Sequence, residues 1–222
     1  DYSGIVRELK KILSKDANIH CAAGAASAAE NMAKGLRGDF YQYAKQLCSA
    51  IMFRFKEKNP VMSQAADSSL QAFGTYCYSL KDISDDIVSS LGQKNPKVKY
   101  DTLRYLEYMV SLADKVGVSQ CKDALAAAVK LAPDADVKIR EQSQAVIVAY
   151  AQKLGGFGAI KSYLNGLDSS RKDLIEKAVL EARNSNASTK ETKAPVAKAR
   201  RRDVQKENDS SARIQAASHK QT

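Results

Sequence analysis

This chain of 222 residues combines a 44% hydrophobic content with a formal net charge of +10, from 35 Lys and Arg against 25 Asp and Glu. A chain of this size can bury a continuous core without disulfides or metal ions. It holds no run of about 18 apolar residues that would span a membrane, and it opens without the charged and apolar regions of a signal peptide. We therefore expect neither a membrane protein nor a secreted one.

Apolar residues recur at helical spacing along most of the chain, and polar turns interrupt them. The first stripe, from Ile5 to Leu13, predicts a helix that ends at the turn 15–18. An Ala-rich helix follows over 19–33, where glycines at 35 and 38 stop it. Further stripes predict paired helices over these segments: 40–55 with 61–73, 83–91 with 98–110, 119–131 with 139–154, and a closing cap over 157–167 and 174–179.

One short motif recurs four times in the turns between these stripes, at 15–19, 58–61, 94–98 and 136–140. The β-branched residues of the copies follow one another at steps of 42, 37 and 41 residues: Ile19, Val61, Val98 and Ile139. This is the period of paired-helix HEAT or armadillo repeats. The sequence therefore predicts an all-α fold, an α-α superhelix of HEAT repeats with the motif in its loops.

The composition changes at about Arg183, beyond which large apolar residues almost cease. Residues 183–222 hold ten Lys or Arg and four Asp or Glu, and so carry +6 of the formal charge. Such a segment buries too little apolar area to offset its chain entropy. We expect a HEAT-repeat domain over 1–182 and a disordered basic tail over 183–222. Its Arg200 to Arg202 run would add weak attraction to an acidic partner.

The predicted loops form a basic surface. Their charged residues are Lys15, Lys56, Lys58, Lys94, Lys97, Lys99, Lys138 and Arg140 against Asp16, Glu57, Asp134 and Asp136. Because stacked helices lie about 8–10 Å apart, four loops in one phase form an edge roughly 30 Å long. An edge of this length suits an acidic protein better than a small molecule. Asn18, Asn59 and Asn95 would add directional hydrogen bonds. Lys and Asn also populate ordinary helix turns, and that interpretation stays open.

Residues that carry catalysis or bind metal are sparse. The cysteines at 21, 48, 77 and 121 lack the paired spacing of a zinc site, and His20 and His219 are the only histidines. The stretch Gly155 to Lys161 lacks the Walker spacing and follows a predicted helix, which favours a turn over a phosphate loop. We expect no enzyme activity, no metal, no cofactor and no small-molecule substrate.

The residues around these loops resemble the TOG domains of the large microtubule polymerases. The string from Gly92 to Leu103, with Lys94-Asn95-Pro96-Lys97-Val98-Lys99 inside it, is similar to the fourth intra-repeat loop and the helix after it. Segments 1–18, 33–44 and 55–60 are similar to the second repeat, its exit and the third loop. The resemblance covers about residues 1–180 and is strongest to a second TOG domain of an array.

The family's first repeat, with its Trp, has no counterpart in this sequence, which contains no Trp. Since the chain starts at Asp1 inside a helical pattern, we expect a piece of a longer polypeptide.

The resemblance implies a paddle of HEAT repeats that binds the αβ-tubulin heterodimer with no enzymatic step. It places tubulin-contacting residues in the second to fifth loops: Asn18 and Ile19, Lys56 and Lys58, Lys94 and Lys99, and Arg140. It further implies a monomeric domain of a polymerase that promotes plus-end growth and contacts the microtubule lattice. The location would be cytoplasm and cytoskeleton, at plus ends, spindle and spindle poles.

Two other classes stay open on the residues alone. A HEAT adaptor or scaffold for a different acidic cargo would show a ladder of Asn, Trp or acidic side chains on its inner helices, and none is visible. Nucleic-acid binding is suggested only by the basic charge, whereas helical repeats that read RNA carry base-contacting side chains at fixed positions. We expect neither nucleic acid nor a membrane as partner.

Overall fold

The computed structural model describes the backbone of residues 1–191 and the side chains of residues 1–184. Every regular element in this part is a helix. The α-helices are α1 Ser3–Lys15, α2 Ile19–Leu36, α3 Tyr41–Met52, α4 Pro60–Tyr76, α5 Ser84–Leu91, α6 Pro96–Leu112, α7 Lys115–Gln120, α8 Lys122–Val129, α9 Val137–Leu154, α10 Phe157–Ile160 and α11 Ser169–Glu191. Short 3-10 helices cover Arg37–Phe40, Phe53–Lys56, Leu80–Ile83 and Lys161–Leu164.

The helices form two layers within the compact unit Asp1–Leu180. Helices α1, α3, α5 and α8 pack side by side in one layer, and α2, α4, α6 and α9 do so in the other. Each outgoing helix also packs on the helix that returns after its loop, as in α1 with α2 and α5 with α6. This arrangement confirms the predicted all-α superhelix of HEAT-type repeats, because each pair buries its apolar faces against its neighbours.

Small residues bring the returning helices close together. Six alanines of α2 are buried, and α2 packs along α4 over much of its length. In α4, a Cβ added at Gly74 would collide with the Met109 sulfur of α6. Alanine and glycine permit this close approach because their side chains are small.

Most predicted helix ends agree with the structure. Ser79 caps the 3-10 helix before α5 in a reciprocal pair with Asp82, and Gly155 ends α9 in a left-handed conformation with φ 109°. The stretch from Gly155 is therefore a turn between helices. One segment differs, since the predicted helix 119–131 is broken at Cys121 into α7 and α8. At the break the Cys121 carbonyl is buried, and it accepts both the Tyr150 hydroxyl at 3.1 Å and the Leu125 backbone N–H at 3.4 Å.

Helix α11 continues to Glu191, beyond the boundary predicted at residue 182. A helix already started can add residues because each one contributes a further backbone hydrogen bond. The rest of the predicted basic tail, with Arg200 to Arg202, lies outside the described residues. No helix in the described part is long and apolar enough to cross a membrane.

Candidate functional site: the loop edge

Each loop between paired helices ends in a side-chain cap. In each cap a side-chain oxygen accepts the backbone N–H two residues later. The distances are 2.9, 2.9, 3.0 and 2.8 Å for Asn18, Asn59, Asn95 and Asp136. The caps are spaced by 41, 36 and 41 residues. They define the repeat register better than the β-branched residues do. Each cap oxygen accepts the N–H two residues later, whereas Ile19 and Val61 lie one and two residues after their caps.

Asn18 and Ile19 are therefore held by the fold at the α1–α2 loop (16–18). The Asn18 oxygen is occupied by the N–H groups of His20 and Cys21, which leaves its amide group as the donor for a partner. Ile19 is half-buried and packs against the core. Both remain predicted contact residues, but Asn18 can offer only part of its hydrogen-bonding capacity.

The two predicted lysines of the α3–α4 loop (57–59) are exposed and differ in their surroundings. The Lys56 ammonium lies 3.7 Å from the ring centroid of Phe53, a cation–π contact on a ring that is 42% exposed. Lys58 has no charge partner among the described residues. Phe53 was not predicted from the sequence, because only the structure shows its exposure at a helix end.

The two predicted lysines near the α5–α6 loop (92–95) have opposite roles. Lys94 is exposed and has no charge partner in the part that the structure describes. Lys99 donates to the Asp134 carboxylate at 3.0 Å, and both side chains are largely buried. The backbone N–H of Asp136, with Lys99 and Arg140, holds the pKa of Asp134 below its ordinary value. Lys99 therefore joins α6 to the next loop.

Arg140 closes the α8–α9 loop (130–136) on itself. Its Nη1 donates to the carbonyl oxygens of Asp134 and Ala135 at 2.9 and 2.8 Å. The side chain is half-buried, so part of the guanidinium still faces solvent. Because a guanidinium carries five N–H donors, others remain for a partner.

Arg54, which was not predicted from the sequence, links the first two loops through three hydrogen bonds. It is 4% exposed, and it donates to the carbonyl oxygens of Leu13, Ile12 and Asp16, the last two at 3.0 and 2.8 Å. These carbonyls belong to the end of α1. The Ile12 carbonyl also accepts the Asp16 backbone N–H at 3.0 Å, whereas the Leu13 and Asp16 carbonyls lie where a helix end leaves carbonyls without intrahelical partners. One feature of the sequence could have indicated this role, because Arg54 is a charged residue between two aromatic residues, Phe53 and Phe55.

Lys97 forms the next link, since its ammonium donates to the Phe55 carbonyl at 2.9 Å and to Asp101 at 2.7 Å. Three ties therefore connect the loops in order: Arg54 joins the first to the second, Lys97 the second to the third, and Lys99 the third to the fourth. The loops lie side by side on one surface, which we call the loop edge. One exposed lysine without a charge partner among the described residues stands at each of its loops: Lys15, Lys58, Lys94 and Lys138.

The side chains of the loop edge are mainly cations and hydrogen-bond donors. Among the described residues, no group of three or more His, Cys, Asp or Glu side chains is placed to hold a metal ion. The chemistry that the edge offers is positive charge, a partly exposed aromatic ring and a few free N–H donors. Together these groups suit an acidic protein surface.

Comparison with known proteins agrees with this architecture. The chain is 34% identical over 206 residues to the spindle pole body component alp14 of Schizosaccharomyces pombe, covering 89% of the chain and 24% of that protein. It is 32% identical over 178 residues to zygote defective protein 9 of Caenorhabditis elegans, covering 78% and 12%. It therefore spans about a quarter or less of these curated relatives. No established family profile matches the chain.

Solved structures give the same result. A structure on microtubule plus-end tracking by XMAP215, CLIP-170 and EB1 superposes with a TM-score of 0.73 at 27% identity, covering 82% of this chain and 75% of the other. A TOG domain from C. elegans Zyg9 shares the fold at 16% identity, with a TM-score of 0.67 and coverages of 82% and 68%. Fold and loop edge thus define a HEAT-repeat interaction domain. The chain belongs to the TOG-domain family of microtubule-associated proteins.

Proposed function

We propose that this chain binds the αβ-tubulin heterodimer through the loop edge, as part of a microtubule polymerase that promotes plus-end growth and spindle organisation. The observation that carries the proposal is the row of four exposed lysines on four loops held in register by Arg54, Lys97 and Lys99. Lysines without internal partners can meet an acidic surface without first breaking ion pairs, and their summed field speeds the encounter.

The proposed role is non-enzymatic, with sites at plus ends, the spindle and spindle poles. Since the relatives are several times longer than this chain, other domains on the same polypeptide would raise the local concentration of tubulin. Lys58 and Lys94 would contact tubulin directly. Lys99 and Arg140 would act mainly by shaping the loops, because their charges are already engaged within the fold. Asn18, Ile19 and Lys56 complete the proposed contact set.

The test is sedimentation of the chain with unpolymerised αβ-tubulin at low and physiological salt. Reversing one lysine charge at roughly 6 Å from a carboxylate changes the Coulomb energy by about 1.4 kcal/mol in water, or about tenfold in affinity. Screening at physiological salt reduces this to about threefold. The Lys58→Glu/Lys94→Glu variant should therefore bind about 100-fold more weakly at low salt and about tenfold more weakly at physiological salt.

A matched control reverses two lysines on the opposite edge. Lys115 and Lys122 are exposed at the starts of α7 and α8 and have no charge partner among the described residues. The Lys115→Glu/Lys122→Glu variant makes the same change in net charge and should keep its affinity. Equal weakening in both variants would show that the effect depends on net charge and not on the loop edge. Unchanged affinity in both would move the interface off the loop edge.

A further inference from the structure

A groove adjoins the loop edge where α9 and α11 begin. It has a volume of about 180 Å³, and its lining includes Ala132, Val137, Arg140, Arg171, Leu174 and Ile175. Ala132 and Ile175 are buried, whereas Val137 and Leu174 are 53% and 56% exposed. Two aliphatic side chains from different helices thus leave about half of their surface in water at one concave site.

The size of the groove restricts what it can hold. Sites for small molecules and cofactors generally enclose about 300–1,000 Å³, which is more than this groove offers. A single protruding side chain of another protein fits such a space. Exposed apolar residues are ordinary when they stand alone. Here Val137 and Leu174 line the same depression, so one inserted apolar group would remove water from both.

The groove is continuous with the loop edge. Val137 directly follows the cap Asp136, and Arg140 holds the α8–α9 loop through its two carbonyl contacts. On the other side, Asp168 accepts from the Arg171 backbone N–H at 2.8 Å and also pairs with the Arg171 guanidinium. Both arginines therefore already have hydrogen-bond partners within the fold, which reduces the side-chain freedom that binding would remove.

We propose that this groove accepts an apolar side chain from the same αβ-tubulin surface that the lysines of the loop edge bind. The inference rests on the proposed function and extends that interface from α9 to α11. The lysines supply long-range, salt-sensitive attraction, and the groove supplies a short-range contact that depends on burial. Lysine and groove contributions can therefore be separated by their salt dependence.

Two leucines of α11 allow a matched test. Leu174 lines the groove, whereas Leu180 does not, and the two are 56% and 53% exposed. Leu174→Ser should weaken binding of purified αβ-tubulin about fivefold, since the exposed half of a leucine contributes about half of its transfer free energy. Leu180→Ser should bind like the unsubstituted chain. The Leu174→Ser effect should persist at high salt, and both variants should retain full helical content by circular dichroism.

The Lys58→Glu/Lys94→Glu variant in the same series separates the two proposals. If it weakens binding while Leu174→Ser and Leu180→Ser behave alike, the groove proposal is wrong and the loop edge stands. If it has no effect, the proposed function fails, and the groove proposal fails with it. Should Leu174→Ser change self-association of the chain alone and leave tubulin affinity intact, the groove belongs to a second copy, which also overturns the proposal.

Discussion

Replacing Arg54 by Met should lower the stability of the whole repeat stack. The side chain is buried at 4% exposure and reaches from the 3-10 helix Phe53–Lys56 to three carbonyl oxygens near the end of α1. Methionine keeps much of the aliphatic length and removes the donors. The carbonyls of Ile12, Leu13 and Asp16 then lose a common charged partner that holds the first helix pair against the second.

The expected loss follows from these three bonds. A hydrogen bond to a charged group contributes about 1.5–3 kcal/mol, and three bonds from one guanidinium are not independent. We therefore expect Arg54→Met to reduce the free energy of unfolding by about 3–5 kcal/mol. For a domain of this size, each kcal/mol lowers Tm by about 2–4 °C, so Tm should fall by about 6–20 °C.

Thermal and urea unfolding, followed by far-ultraviolet circular dichroism, measure the effect. Arg7→Met is the control, because the Arg7 side chain is 80% exposed and its only described ion pair, with Glu8, is 4.0 Å long. Such a pair contributes little. A Tm for Arg54→Met no lower than that of Arg7→Met would refute the role assigned to these bonds.

Two further predictions concern the caps and the tie between α6 and the α8–α9 loop. Asn95→Ala removes the cap of α6 and should lower the free energy of unfolding in urea by about 1 kcal/mol. The control is Asn165→Ala, at an exposed side chain without a described hydrogen bond, which should leave the free energy of unfolding almost unchanged. The pKa of Asp134 is lower in the folded protein than in the unfolded chain, where it is about 3.9. The Asp134 charge therefore stabilises the fold fully above the unfolded pKa, and this stabilisation is lost as the pH falls through the folded pKa. Asp134→Asn should therefore be less stable than the unsubstituted chain at neutral pH, and the gap should close on acidification; a gap independent of pH would show that the charge is not responsible.

The sequence alone determined the fold class and the position of the loops. Helical periodicity and the polar turns between the apolar stripes are local signals, because each depends on residues close together in the chain. Asn18, Asn59 and Asn95, expected from the sequence to offer hydrogen bonds to a partner, instead use their side-chain oxygens to cap helices. The repeat register was misplaced, since the motif was aligned on β-branched residues instead of on its caps. The break at Cys121 and the extension of α11 to Glu191 were also not predicted.

The tertiary structure decided which charges of the loops are available to a partner. Lys94 and Lys99 stand in one motif and look equivalent in sequence, yet Lys99 pairs with Asp134, 35 residues away, and Lys94 has no charge partner among the described residues. Lys97 finds the Phe55 carbonyl across 42 residues, and Arg54 finds Leu13 across 41. Partners this distant meet only when repeats stack. Local patterns therefore located the loop edge, and packing separated the lysines that hold it from those that face solvent.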